Sequence, residues 1–161
     1  MTRIPDRSAG PEQVRNYIRQ TLTSKHKTDD NFAEEAARSW RLGRGSELCD
    51  ATLEYLQEIF GVDIGLCLFH SICEDRDDAW EQSLIGIICN WMLYGSAAFL
   101  LWSLIVLFLG RRPNLSFPTL LFGATLANYG YRRPTYNYPM LAMGICNICI
   151  SLLSILWVHV L

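Results

Sequence analysis

The second half of this 161-residue chain contains no acidic side chain. All 16 Asp and Glu residues lie at or before Glu81, together with ten of the 14 Lys and Arg residues, so residues 1–82 carry a formal charge of −6. The four remaining basic residues form two pairs, Arg111–Arg112 and Arg132–Arg133. Because a charged side chain is costly in hydrocarbon, this partition predicts water around residues 1–82 and lipid around residues 83–161.

Catalytic signatures are also missing from the sequence. The chain contains no GxSxG, HExxH, P-loop or dinucleotide-binding pattern. Its acidic first half would be repelled by nucleic-acid phosphates, and the interiors of its long apolar segments carry no Asp, Glu, Lys or Arg for proton or ion conduction. We therefore expect a non-enzymatic protein with no catalytic residue, no cofactor beyond a structural lipid, and no nucleic-acid partner.

The six cysteines do not form a recognisable framework. A disulfide scaffold is typical of small secreted domains, so free thiols are expected. Cys67, His70 and Cys73 are spaced by three on a predicted helix, but no fourth zinc ligand is evident. Cys146 and Cys149 have the spacing of a redox motif, yet they lie two turns into an apolar segment rather than at an exposed helix start. We predict neither a metal site nor a redox site.

Three long uncharged segments make up most of the second half of the sequence. Ser83–Gly110 is apolar on all sides, and as a helix it would cover about 40 Å, more than the roughly 30 Å of a bilayer core. Met140–Leu161 is a second segment of spanning length, with His159 as its one potentially charged group. Between them, Leu115–Tyr131 has 17 uncharged residues, the lower limit for a span. This middle segment either crosses the membrane or re-enters it.

The first half shows the period of amphipathic helices. Val14, Ile18 and Leu22 form the stripe of a helix over residues 11–24. A second helix follows Asp29 or Asp30, with Phe32, Ala36 and Trp40 on its predicted buried face. A third helix covers 47–60 and ends at Gly61, and a fourth covers 64–73. The acidic run 74–82, with Glu74, Asp75, Asp77 and Asp78, is interpreted as a hydrated connection. The fold class is therefore all-α, with a helical extramembrane domain (1–82) and a membrane domain (83–161).

Two features of the membrane domain predict packing against protein. Asn90 and Asn147 place amides inside spans, where each needs a hydrogen-bond partner on the other helix or on another subunit. A cluster of small residues permits close backbone approach on the first span. The cluster consists of Gly95, Ser96, Ala97 and Ala98.

Interfacial anchors flank the predicted spans. Tyrosine rings and arginine side chains both favour the lipid headgroup layer. The residues predicted to lie there are Arg111, Arg112, Tyr129, Tyr131, Arg132, Arg133, Tyr136 and Tyr138.

Orientation depends on the number of spans. No secretory signal is expected, because residues 1–81 contain no charge-free apolar run before Val62. With three spans, the second arginine pair shares a side with the N-terminal domain; with two spans and a re-entrant middle, both pairs lie on the opposite side. We expect three spans, the N-terminal domain in the cytosol or matrix, and an organelle membrane such as the mitochondrial inner membrane or the endoplasmic reticulum.

These patterns indicate an accessory or assembly subunit of a multi-subunit membrane complex. Its partners would be other membrane-protein subunits and membrane lipids. A first alternative is a membrane enzyme or a carrier of lipids or small molecules, with a site near Asn90, Tyr129, Tyr131 and Arg132. A second alternative is a self-assembling, capsid-like helical shell protein.

Overall fold

The computed structural model describes residues 3–110, 114–135 and 137–160, with side chains described as far as residue 156. Within these ranges the protein is all-helical, with 79% helix and no strands. This confirms the predicted all-α class. The described helices are α1 (Pro11–Lys25), α2 (Asp30–Arg38), α3 (Gly45–Cys49), α4 (Leu53–Phe60), α5 (Val62–Glu81), α6 (Leu84–Phe108), α7 (Ser116–Arg132) and α8 (Tyr138–Val160).

The chain folds as two compact units, Met1–Ala79 and Trp80–Leu161. The first unit contains α1 to α4 and most of α5, and the second contains α6 to α8. Each unit has its own packing.

The first unit has a hydrophobic core centred on Trp40. The predicted α1 stripe is confirmed, since Val14, Ile18 and Leu22 are all buried. The Trp40 ring stacks parallel to Phe60, with ring centroids 6.3 Å apart, and its indole N–H donates to the carbonyl of Gly43 at 2.7 Å. The polar atom of this large side chain is therefore satisfied inside the core.

The predicted buried face of the second helix is displaced by one residue. Ala33 and Ala37 are buried with Trp40, whereas Phe32 is 46% exposed and Ala36 is half-buried. Because α2 ends at Arg38, Trp40 lies beyond the helix and enters the core from the following connection. Because Trp40 is not part of α2, counting helical turns back from it predicted the wrong buried face for this helix.

The single helix predicted over 47–60 is wrong, because the structure has two shorter helices there. The Thr52 side chain lies between them, where it accepts the N–H of Tyr55 at 3.2 Å and caps α4. Gly45 begins α3 in contact with the lead-in segment, donating its N–H to the carbonyl of Ala9 at 3.0 Å. Gly61, with φ of +86°, ends α4 as predicted.

The hydrated connection predicted over 74–82 is also wrong, because α5 continues as helix from Val62 to Glu81. Two charged side chains in this part of α5, Asp75 and Arg76, have partners in the first unit. Arg76 donates from Nη1 to the carbonyl of Cys49 at 2.8 Å, and Asp75 is buried. The fourth predicted helix corresponds to α5. At 20 residues, α5 is twice as long as the ten residues predicted from its apolar part.

The second unit contains three helices in which α6 and α8 both pack on α7. Two of the described helices, α6 and α8, are long and apolar enough to cross a membrane. The middle segment forms one uninterrupted helix of 17 residues, about 25 Å long at 1.5 Å per residue. Pro118 lies in its first turn, where the missing N–H breaks no helical hydrogen bond.

Candidate functional site

The interface between α7 and α8 depends on glycine. A Cβ added at Gly144 would lie 2.5 Å from the backbone nitrogen of Ala127, and one added at Gly130 would lie 2.8 Å from that of Leu141. At Gly123, the added atom would be 3.1 Å from the carbonyl oxygen of Gly144. Residue numbers fall along α8 as they rise along α7, so the two helices are antiparallel. Their backbones touch in the manner of small-residue packing in membrane helices.

Hydroxyl and amide groups join the three helices at buried or half-buried positions. Ser96 on α6 and Thr125 on α7 are hydrogen-bonded through their hydroxyl oxygens at 2.7 Å, and both residues are buried. The Ser151 hydroxyl on α8 donates to Thr119 Oγ1 at 3.0 Å. These contacts give the hydroxyl groups partners, which a polar group requires when it is removed from water.

The structure separates the two asparagines predicted to pack in the membrane. The Cβ of Asn147 lies 3.2 Å from the Cβ position of Gly123, so it is part of the interface between α7 and α8. Asn90 is half-buried on α6. Among the described residues the two amides form no hydrogen bond with each other. The helices that carry them pack on α7 rather than mainly on one another.

The predicted small-residue cluster is divided between two faces of α6. Ser96 faces α7 and Ala97 is half-buried, whereas Gly95 and Ala98 are exposed. No described atom of a neighbouring element lies within 4 Å of a Cβ added at Gly95. This open face therefore takes no part in the packing inside the unit.

Two tryptophans flank the exposed small residues. Trp91 and Trp102 are 74% and 64% exposed, and with Gly95 and Ala98 they lie within about 60° of one another around the helix, at 3.6 residues per turn. We call these four residues the α6 notch. It places two small residues between two large exposed aromatic side chains.

Aromatic and charged side chains collect at the end where α6 begins and where α7 is followed by α8. Tyr129, predicted to be a headgroup anchor, is buried, and its ring packs edge-to-face on Trp80 with centroids 5.3 Å apart. Arg133 pairs with Glu81 at 3.6 Å from Nη2 to Oε1. Tyr131, Arg132 and Tyr138 are exposed, whereas Arg111, Arg112 and Tyr136 lie outside the described residues.

The metal and redox motifs do not form a cluster in the described part of the chain. No group of three or more His, Cys, Asp or Glu side chains there is arranged to hold a metal ion. All six cysteines are free thiols, with Cys146 and Cys149 exposed on α8 and Cys67 and Cys73 half-buried on α5.

A buried charge network, missed in the sequence, lies in the first unit. Asp75 accepts a hydrogen bond from the Tyr17 hydroxyl at 2.6 Å and another from Lys25 Nζ at 2.7 Å. Its side chain is 5% exposed, so the interpretation of this carboxylate as solvated is wrong. The spacing of Leu68, Ile72 and Asp75 continues the buried stripe of α5 and is the signal that would have identified it.

The network shifts two titrations. Burial and the bond to Asp75 raise the pKa of Tyr17 well above its usual range. Burial by itself lowers the pKa of Lys25, but the hydrogen bonds to Asp75 and Glu74 outweigh it, so the pKa is raised overall. Both shifts favour the protonated forms at neutral pH.

Alanine at Gly144 should separate α7 from α8. An added methyl group 2.5 Å from backbone cannot be accommodated without movement, so we expect Gly144→Ala to lower the free energy of unfolding by about 1–3 kcal/mol. The matched control Gly95→Ala enters open space and should be neutral or gain up to about 1 kcal/mol from helix propensity. Denaturant titration in mild detergent, followed by circular dichroism, compares the two. Equal effects would contradict the close packing.

Removing the charge of Asp75 should destabilise the first unit far more than removing that of its neighbour. Asp75→Asn removes the buried carboxylate that pairs with the half-buried Lys25 ammonium group and accepts the Tyr17 hydroxyl, at a cost of about 2–4 kcal/mol. Glu74→Gln removes the same charge from a side chain that is 65% exposed and should cost less than about 1 kcal/mol. The same denaturant titration measures both, and a smaller effect at Asp75 would exclude the network as a stabilising element.

The raised pKa of Tyr17 should make the first unit sensitive to alkali. A group whose pKa is raised by folding contributes stability fully below its unfolded pKa, about 10 for tyrosine, and loses it as pH rises further. Between pH 9 and 11 the wild type should therefore lose about 1.4 kcal/mol more than Tyr17→Phe. Lys25 contributes with the same sign to both proteins, so the difference isolates the phenol. Parallel pH profiles would refute the assignment.

Comparison with known proteins does not place the chain in a family. No protein-family model, no curated protein and no solved structure matches it. Function is therefore inferred from the contacts and exposure described above.

Proposed function

We propose that this protein is a non-catalytic accessory or assembly subunit of a multi-subunit membrane complex. Helices α6 to α8 lie in the bilayer, and the first unit docks neighbouring subunits. The α6 notch is the observation that carries this proposal. It combines small and aromatic residues on an exposed apolar face, where no described neighbour lies within 4 Å of a Cβ added at Gly95.

The exposure of the apolar helices supports a bilayer location. In the most apolar 18-residue stretch of α6, 11% of the residues are buried, and the same fraction is buried in the corresponding stretch of α8. The exposed side chains include Trp91, Phe108 and Leu153. A surface of this kind is unfavourable in water and needs lipid or protein around it.

Contact along α7 supports three spans. Helix α7 packs on both α6 and the antiparallel α8. Its contact with α6 extends from Asn128 near Cys89 to Phe117 near Phe99. If α6 and α8 cross the membrane, a helix between them lies at the same depth. The polar groups of α7 then find partners on its neighbours, as spanning helices require.

The notch favours a protein partner over lipid alone. Lipid chains cover an apolar helix of any shape, whereas small residues at a helix surface allow another helix to approach closely. Aromatic side chains such as Trp91 and Trp102 are enriched among the residues that contribute most to interfaces. Gly95 and Ala98 between them would receive the partner's side chains.

The first unit offers a second docking surface. Leu42 and Val62 are 85% and 68% exposed, and a cavity of about 260 Å³ is lined in part by Phe32, Ile59 and Ile64. An excess of acidic side chains over residues 1–82 favours basic partner surfaces. We place this unit on the cytosolic or matrix side of an organelle membrane, the mitochondrial inner membrane or the endoplasmic reticulum. Protease protection in sealed organelles tests that placement.

Filling the notch should release the partners without unfolding the chain. The variant Gly95→Leu with Ala98→Leu adds bulk where no neighbouring atom is close, so membrane insertion and thermal stability should be retained. Co-purified subunits, quantified by mass spectrometry after affinity capture in mild detergent, should fall about tenfold, as for loss of an interface hot spot. Ala142→Leu, at an exposed position on α8, is the matched control.

Three outcomes would reject the proposal. The first is recovery of the wild type alone, as a stable monomer in mild detergent. The second is equal loss of partners in the Ala142→Leu control. The third is recovery of the chain as soluble particles without detergent, which would favour the shell-protein alternative. The carrier alternative has a specific observation in its favour, an apolar groove between α6 and α7 that ends at Arg132.

A further inference from the structure

Helices α6 and α7 enclose an open groove of about 450 Å³ on one side of their contact. Ile85, Ile88 and Met92 line it from α6, and Leu121 and Ala124 line it from α7. Its walls are therefore mainly aliphatic, and its size lies within the range of small-molecule sites. Nothing in the described packing fills it.

The groove has a polar end formed by two residues one helical turn apart. Arg132 donates from Nε to Asn128 Oδ1 at 3.0 Å, and the Asn128 amide in turn donates to Cys89 Sγ at 3.7 Å. This chain of hydrogen bonds orients the guanidinium group at the groove. No described residue accepts a hydrogen bond from the Nη groups of Arg132, which is an exposed residue.

The counter-charge for Arg132 is not provided by the second unit. No acidic residue follows Glu81 in the sequence, and Glu81 pairs with Arg133. Among the described residues no carboxylate forms an ion pair with Arg132. A guanidinium group is well suited to bidentate binding of phosphate, and basic pockets between membrane helices are a recognised arrangement for lipid headgroups.

We propose that this groove binds an anionic phospholipid, with the phosphate on Arg132 and an acyl chain along the aliphatic walls. A zwitterionic headgroup would bring an ammonium group for which the second unit has no free carboxylate, so the anionic class is favoured. The inference rests on the proposed bilayer location of α6 to α8. It adds a specific ligand to that proposal and assigns Arg132 as its anchor.

Lipid titration of the full-length chain tests the charge requirement. The protein is delipidated in mild detergent, and binding of dioleoyl phosphatidylglycerol or dioleoyl phosphatidylcholine is measured by native mass spectrometry. We expect the anionic lipid to bind at least about tenfold more tightly, and Arg132→Gln to lose about tenfold in affinity for it, as for removal of one charge-assisted hydrogen-bonding group. Arg41→Gln, which removes the same charge from an exposed position in the first unit, should retain wild-type affinity.

A second variant tests the acyl-chain part of the site. Ala124→Phe fills the groove from an exposed position on α7 and should reduce binding about tenfold while circular dichroism stays unchanged. Ala142→Phe adds the same volume on an exposed position of α8, outside the groove, and should bind normally.

Four results would overturn the inference: equal affinity for the two lipids, full binding by Arg132→Gln, equal losses in the two phenylalanine variants, or displacement of the lipid by millimolar inorganic phosphate. Its failure is distinguishable from failure of the proposed function. Lost lipid selectivity with intact co-purification of subunits rejects the groove alone, whereas recovery of the chain in a detergent-free supernatant rejects both.

Discussion

The apolar surface of α6 and α8 is the constraint on which the second unit depends. Two helices are long and apolar enough to cross a membrane, with 11% burial in their most apolar stretches, and exposed apolar area is unfavourable in water in proportion to its extent. The proposed bilayer location covers that surface with hydrocarbon. The exposure of the α6 notch, and the charge of Arg132 that no described carboxylate pairs with, acquire functional meaning from this proposed location.

Different interactions stabilise the internal packing of each unit. In the first unit, water drives Trp40 and the α1 stripe into a shared core, and Asp75 is tolerated there because Tyr17 and Lys25 bind it. In the proposed bilayer location the hydrophobic effect would not drive helices together, so close packing and polar contacts would have to do so. Gly144 against Ala127, and Ser96 bonded to Thr125, are contacts of these two kinds.

The proposed roles depend on residues that remain exposed outside these helix contacts. Gly95 and Ala98 remain open on α6 because Ser96 meets α7 on another face of the same helix. Arg132 remains available because Glu81, the last acidic residue, pairs with Arg133 instead. The exposed helix face and the Arg132 guanidinium group are therefore the features on which the proposed protein and lipid partners depend.

The sequence by itself determined the all-α class, the two apolar helices and the α1 stripe, because charge distribution and helical period are local properties. It also predicted helix contacts at Asn90, at Asn147 and in the cluster 95–98, with the other span or another subunit as partner, whereas Ser96 and Asn147 lie against α7. The tertiary structure decided that Gly144 against Ala127 is the closest contact between α7 and α8, that α5 continues as a helix through the acidic residues, and that Asp75 is buried. These outcomes depend on which side chains approach across long sequence separations, and local pattern does not encode that approach.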